Sequence, residues 1–207
     1  MPATEDPIRR HLIEARREQI LDAAAKVFAE RGFHGATTKR IATEAALAEG
    51  TIYNYFDRKG DLLLAIMMRL STVEDVSTEL TEALNKDPRD SLLAIARHRA
   101  GLIDENRETL RAILPEMLVN ADLRGQFYRR FAQPLASLLE QYVRARIASG
   151  DLRPVEAPLA VRSVQAMFIG LMILRILGDD TLASRWDDVP EVMVDLLLDG
   201  LSAKEEA

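Results

Sequence analysis

The sequence predicts an all-α fold. Apolar residues recur at helical spacing through nearly the whole chain, and no stretch shows the period-two alternation of a half-buried strand. Gly and Pro punctuate the pattern at intervals suited to helix ends. About nine helices are expected.

The elements follow in order. In "REQILDAAAKVFAERGF", Ile20, Ala24, Val27 and Phe28 form one stripe, and Gly32 is the stop signal. "TTKRIATEA" follows, with Thr37 or Thr38 as N-cap and Ile41, Ala42 and Ala45 on one face. A short helix is expected from about Ala48 to Phe56. Asp57 or Gly60–Asp61 then opens one long helix through "LLLAIMMRLSTVEDVSTELTEAL". "NKDPRD" breaks the chain, and Pro88 sits in the first turn of the next helix. Pro115 should end or kink its segment. "YRRFAQPLASLLEQYVRARIASGDL" is amphipathic, with a kink at Pro134 and an end at Gly150. "EAPLAVRSVQAMFIGLMILRIL" and "DVPEVMVDLLLDGL" supply the last two helices. Residues 1–7 and 202–207 are expected to be loose.

With 207 residues and 48% hydrophobic content, the chain can bury one or two cores. It has no cysteine, which excludes disulfides, Cys-zinc sites and thiol catalysis. Three histidines, no glycine-rich phosphate loop and no metal-spaced cluster leave little for an enzyme. No catalytic residue, metal or cofactor is expected. The N-terminus lacks a signal-peptide core. The run "AMFIGLMILRILG" reads as too short to span a bilayer and is interrupted by Arg175. A cytoplasmic protein with no membrane partner is expected.

The net charge is −6, yet it is unevenly spread. Residues 8–60 hold 10 Lys and Arg against 7 Asp and Glu; residues 61–207 hold 17 against 24. A mildly basic head on an acidic body fits a nucleic-acid partner, because only the face that meets phosphate needs positive charge. Two domains are expected: residues 1–60 as head and 61–207 as body.

"TIYNYF" concentrates three aromatics in a chain with 5% aromatic residues. On a helical wheel Ile52 and Phe56 fall about 40° apart and form the buried edge, with Asn54 pointing away and Tyr53 and Tyr55 flanking. Such a helix suits a groove: phenols toward phosphates and thymine methyls, Asn54 toward a base edge. Gly50 allows close backbone approach, and Lys59 follows as a phosphate clamp. Thr37 and Thr38 offer hydroxyls, and Lys39 and Arg40 place charge in a first helical turn, against the helix dipole.

A helix, a short turn and a second groove-sized helix is the helix-turn-helix arrangement. Residues 17–66, with "G-T-I-Y-x-Y-F-x-x-K-x-x-L" at their centre, resemble the DNA-binding head of the tetracycline-repressor (TetR) family. The resemblance implies that Thr38 holds a phosphate and Lys39 reaches a base or phosphate. It implies that Thr51, Tyr53 and Asn54 face the major groove and that Tyr55 and Lys59 hold the backbone. Two departures matter. Where the family has "A-G-V-S", this chain has Ala45–Ala46–Leu47–Ala48. Ala at a left-handed position costs about 1 kcal/mol relative to Gly, unless the turn differs. Ala48 also lacks the usual capping hydroxyl. Glu49 can approach bases but is repelled by phosphate unless it accepts from a cytosine amino group, so it is expected to be solvated or paired internally.

The resemblance further implies a ligand-responsive regulator, more often a repressor. Such a protein binds double-stranded DNA as a homodimer at a palindromic operator and is released by a small, largely apolar effector. The dimer surface is expected on the last two helices at Met167, Gly170, Leu171, Leu174, Val192 and Leu196. The effector pocket is expected near Arg97, Met117, Phe127, Tyr128, Phe131, Met167 and Phe168, an apolar set with few polar groups. Trp186 is expected to pack a loop near the final helix. The alternative is a helical protein-interaction module whose head does not bind DNA.

Overall fold

The computed structural model describes residues 7–70 and 73–201. Among them there is no β-strand, and the helical segments are more numerous than the expected nine because several long periodic stretches are divided. The loose flanks expected at 1–7 and 202–207 lie outside the described residues, except that Pro7 opens the first helix.

The segments are α1 (Pro7–Gly35), α2 (Thr38–Glu44), α3 (Glu49–Tyr53), α4 (Lys59–Arg69), α5 (Val73–Ala83), α6 (Pro88–Glu105), α7 (Arg107–Val119), α8 (Ala121–Phe127), α9 (Gln133–Ser149), α10 (Ala157–Ile176), α11 (Asp180–Ser184) and α12 (Val189–Leu201). A π-helical turn, Tyr128–Ala132, precedes α9, and a 3-10 turn, Trp186–Asp188, precedes α12.

Contacts divide the chain into two compact units. One comprises Met1–Leu70 with Glu108–Phe127; the other comprises Ser71–Arg107 with Tyr128–Ala207. These compact units do not follow the border expected at residue 60, because α1 packs against α4 and α4 against α8.

In the first unit, Ile20, Phe28, Ile41, Ile52, Leu62, Leu63 and Ile66 are fully buried. Each comes from the apolar stripe of its own helix. Gly32 interrupts α1 with φ 67° and ψ 169°, as its stop signal suggests, and one further turn follows. Thr37 is the N-cap of α2, its hydroxyl accepting from the Arg40 amide at 3.3 Å. The helix expected from residue 61 to Leu84 is instead two, α4 and α5. Helix α4 begins at Lys59, where the Arg58 amide donates to the Asp61 carboxylate at 3.1 Å. Pro115 does not end α7, which runs through it.

The second unit is built on a cluster of Val76, Leu80, Ala83 and Tyr142, with Leu92, Ile95, Leu135, Leu138 and Leu139 packed against it. Arg146 is buried here. It donates to the carbonyls of Ala83 and Lys86, each at 2.6 Å, and to Asp151 at 2.7 Å. One guanidinium thus satisfies carbonyls left open at the end of α5. Pro134 has no amide to offer the carbonyl four residues earlier, and the π turn lies where that bond is missing. Trp186 is buried and donates to the Ala100 carbonyl at 3.0 Å, so it packs on α6 as well as preceding α12.

Candidate nucleic-acid interface

The turn between α2 and α3 is a Schellman motif. The Ala46 amide donates to Thr43 and the Leu47 amide to Ala42. The motif needs one left-handed residue, and Ala46 supplies it at φ 53°. The chain does the same at Gly150 and Gly178, with glycine in the left-handed place. Only Ala46 does so against a Cβ clash.

The turn delivers α3 with Ile52 and Phe56 buried, as the wheel requires, while Tyr53 and Asn54 are exposed and Tyr55 is half-buried. The helix is shorter than expected: Asn54 is its C-cap. Ala48 caps it without a side-chain bond. Arg17 lies over the Phe56 ring at 4.5 Å and closes the buried edge. Gly50 is exposed, and a Cβ added there meets nothing within 4 Å. No internal packing therefore demands glycine at this position.

Thr38 is half-buried and donates to the Glu49 carboxylate at 2.7 Å; the Tyr53 hydroxyl lies 3.1 Å from the same Thr38 oxygen. Glu49 is paired internally, as expected. Thr51 is half-buried, and Thr37 is exposed beside its cap bond. Lys39 and Arg40 are exposed and have no ion-pair partner among the described residues. By contrast, Lys26 is held by Glu44 at 2.6 Å, which raises its pKa.

Lys59 does something the sequence did not reveal. Its ammonium donates to the carbonyls of Phe33 at 2.6 Å and Ala36 at 3.0 Å and lies 4.3 Å over the Phe33 ring. Burial pushes its pKa down, partly offset by the Glu116 carboxylate. Two of its three donors are thus committed to the end of α1, leaving one for a phosphate.

The positions expected for an effector are divided. Met117, buried on α7, and Phe127, at the end of α8, belong to the first unit. Arg97, Tyr128, Phe131, Met167 and Phe168 belong to the second. Arg97 is held by Glu191, Tyr128 is exposed, and Phe131, Met167 and Phe168 are half-buried. A groove of about 240 Å³ between α1 and α2 is lined by Val27, Glu30, Arg31, Arg40, Thr43 and Glu44, none of them among those positions. Sequence reasoning missed Arg175. Its buried guanidinium stacks on Trp186 at 4.4 Å and pairs with Asp104 at 2.6 Å, and its Nε and Nη1 lack a hydrogen-bond acceptor. The available signal was a lone Arg in an apolar run.

Of the expected dimer positions, Leu174, Val192 and Leu196 are exposed, and Met167, Gly170 and Leu171 are half-buried. Helix α10 also corrects the reading of a run too short to span a bilayer. It continues back to Ala157, giving 20 residues that include an 18-residue window of mean hydropathy 1.7, long and apolar enough by length and composition to cross a membrane.

A model of bacterial regulatory proteins of the tetR family matches residues 20–66, the stretch from α1 through α4 that carries this geometry. Residues 20–66 are a TetR-family head. The chain that carries this TetR-family head is 33% identical over 146 residues to the HTH-type transcriptional regulator HbdR of Aromatoleum sp. (strain CIB), covering 70% of this chain and 63% of that protein. Its fold matches that of NalD, the secondary repressor of the MexAB-OprM multidrug efflux pump in Pseudomonas aeruginosa. That match has a TM-score of 0.74 at 23% identity over 93% of this chain and 100% of that one. It also matches the transcriptional regulator FadR from Bacillus subtilis in complex with stearoyl-CoA. Here the TM-score is 0.67 at 23% identity, over 88% of this chain and 98% of that one. At these identities the structural likeness concerns the fold alone.

Proposed function

We propose that this TetR-family regulator is a repressor that binds a palindromic operator as a homodimer and is released by a small, largely apolar effector. The observation that carries the reading is the construction of α3. Ile52 and Phe56 anchor it from behind, while Tyr53 and Asn54 are exposed in the same unit as the unpaired Lys39 and Arg40. Thr37, Thr38, Lys39, Tyr55 and the remaining donor of Lys59 hold phosphates in this reading. Gly50, Thr51, Tyr53 and Asn54 meet the groove.

One short helix reads few base pairs. Two heads on half-sites about 34–36 Å apart, or multiples of that, read enough. Exposed Ile169, Leu174, Leu177, Val192 and Leu196 on or beside α10 and α12 support pairing of two copies through these helices, rather than insertion of α10 into a bilayer. The effector acts by preferring one of two states of the dimer, and it shifts them only by its differential affinity. The same fold serves a repressor in NalD and holds stearoyl-CoA in FadR, so it accommodates both parts of this reading.

The test is binding of the full-length protein to duplexes from its own promoter region across ionic strength. Affinity should fall steeply with salt, and Tyr53→Ala with Asn54→Ala should abolish discrimination in a folded dimer. Unchanged binding by the double variant would refute the reading. The rival, an interaction module without DNA affinity, is favoured by one observation: Glu49 already occupies the Thr38 hydroxyl. Duplex binding indifferent to salt, or absent, would support that rival.

A further inference from the structure

We propose that Glu49 is a specificity-determining residue that makes the head select a cytosine; the proposal rests on the DNA-binding reading above. The Thr38 hydroxyl has a single proton, and it is donated to Glu49 Oε1 at 2.7 Å. With that proton committed, the bond between Thr38 and Tyr53, at 3.1 Å, runs the other way: the Tyr53 hydroxyl donates to the Thr38 oxygen. The result is a directed chain from Tyr53 through Thr38 to Glu49. Two hydroxyls of the DNA-bound reading, Thr38 that holds phosphate and Tyr53 that meets the groove, thus aim their protons toward one carboxylate.

A duplex must undo this chain. A phosphate that takes the Thr38 proton displaces Glu49 and leaves an anion beside an anion. Glu49 is exposed and in the first turn of α3, so its carboxylate is free to turn toward a base edge once released. In the major groove the cytosine amino group is a donor that a carboxylate accepts from, whereas adenine sets its amino donor beside the N7 acceptor, which repels a carboxylate, and guanine and thymine offer acceptors at the corresponding positions. A cytosine at the contacted step therefore gives Glu49 a new partner, and mixed sequence leaves it unpaired beside phosphate. The same residue opposes non-specific binding and favours one base.

The experiment enriches duplexes from a random library with full-length wild type, Glu49→Ala and Glu49→Gln, followed by fluorescence anisotropy on the enriched sequence. Wild type should enrich a C·G pair at one position of each half-site, and replacing that pair should weaken it about tenfold. Glu49→Ala should show no preference at that position and should bind mixed-sequence DNA several-fold more tightly, with Glu49→Gln between the two. If Glu49→Ala enriches the same base at every position, or gains nothing on mixed sequence, the proposal is overturned. If wild type binds no duplex at any salt concentration, the DNA-binding reading itself fails, and the role of Glu49 falls with it.

Discussion

The Leu47 amide donates to the Ala42 carbonyl at 2.8 Å, a six-residue closure made possible only because Ala46, between them, takes the left-handed conformation. Every L residue with a Cβ is strained there, by about 1 kcal/mol for Ala relative to Gly. Ala46→Gly should therefore stabilise the first unit by about 1 kcal/mol, read as a higher melting temperature, with the α2–α3 turn unchanged. A lower melting temperature would mean that the strain is absent.

Gly50 makes the opposite case. It is helical, exposed and free of neighbours that exclude a Cβ. Gly50→Ala should raise stability by roughly 0.5–1 kcal/mol through helix propensity. If duplex backbone approaches this residue, the same change weakens DNA binding. Thermal melts and anisotropy on one preparation check both signs.

Leu174 and Leu196 are exposed at 47% and 61%, so a charge at either costs the isolated chain little. In a two-fold dimer through α10 and α12 each substitution occurs twice in the buried face. Leu174→Glu or Leu196→Glu should weaken self-association by at least about 100-fold (~3 kcal/mol) while the helical circular dichroism is retained. Sedimentation equilibrium measures the outcome.

The second unit should be acid-sensitive. Hydrogen bonds from Arg146 and then Ser149 hold Asp151 below its ordinary 3.8. A hydrogen bond from Arg162 does the same for Glu140, and one from Arg97 for Glu191, each below an ordinary 4.5. Depressed carboxylate values mean stability that is present above the unfolded values and lost as pH falls through the folded ones. The melting temperature should stay level from about pH 7 to 5 on this account and drop below about pH 4. In Arg162→Gln, Glu140 keeps only its bond from Arg144 and contributes less, and the drop should be shallower.

The helices themselves were largely written in local pattern. The positions of Ile20, Phe28, Ile41, Ile52 and Phe56 on their stripes required only the helical repeat and a core to face, and all five are buried. Thr37, Asp87 and Gly150 act as terminal residues because capping is a bond to an adjacent turn. The break between α4 and α5 was not legible, since neither Gly nor Pro marks residues 70–73. The expected effector positions fall in both units, with Met117 and Phe127 in the one that contains the head, because no periodicity announces which helix a stripe will meet.

Sequence alone determined an all-helical chain with a TetR-family head, because helical repeat, caps and a long gap-free pattern are properties of neighbouring residues. Tertiary structure alone decided that Lys59 holds the carbonyls of Phe33 and Ala36, that Thr38 is engaged by Glu49, and that Arg175 is buried with open donors. Those partners lie 11 to 71 residues apart in the chain. Which charge meets which polar group is set by the packing that brings helices together, after the local code has finished.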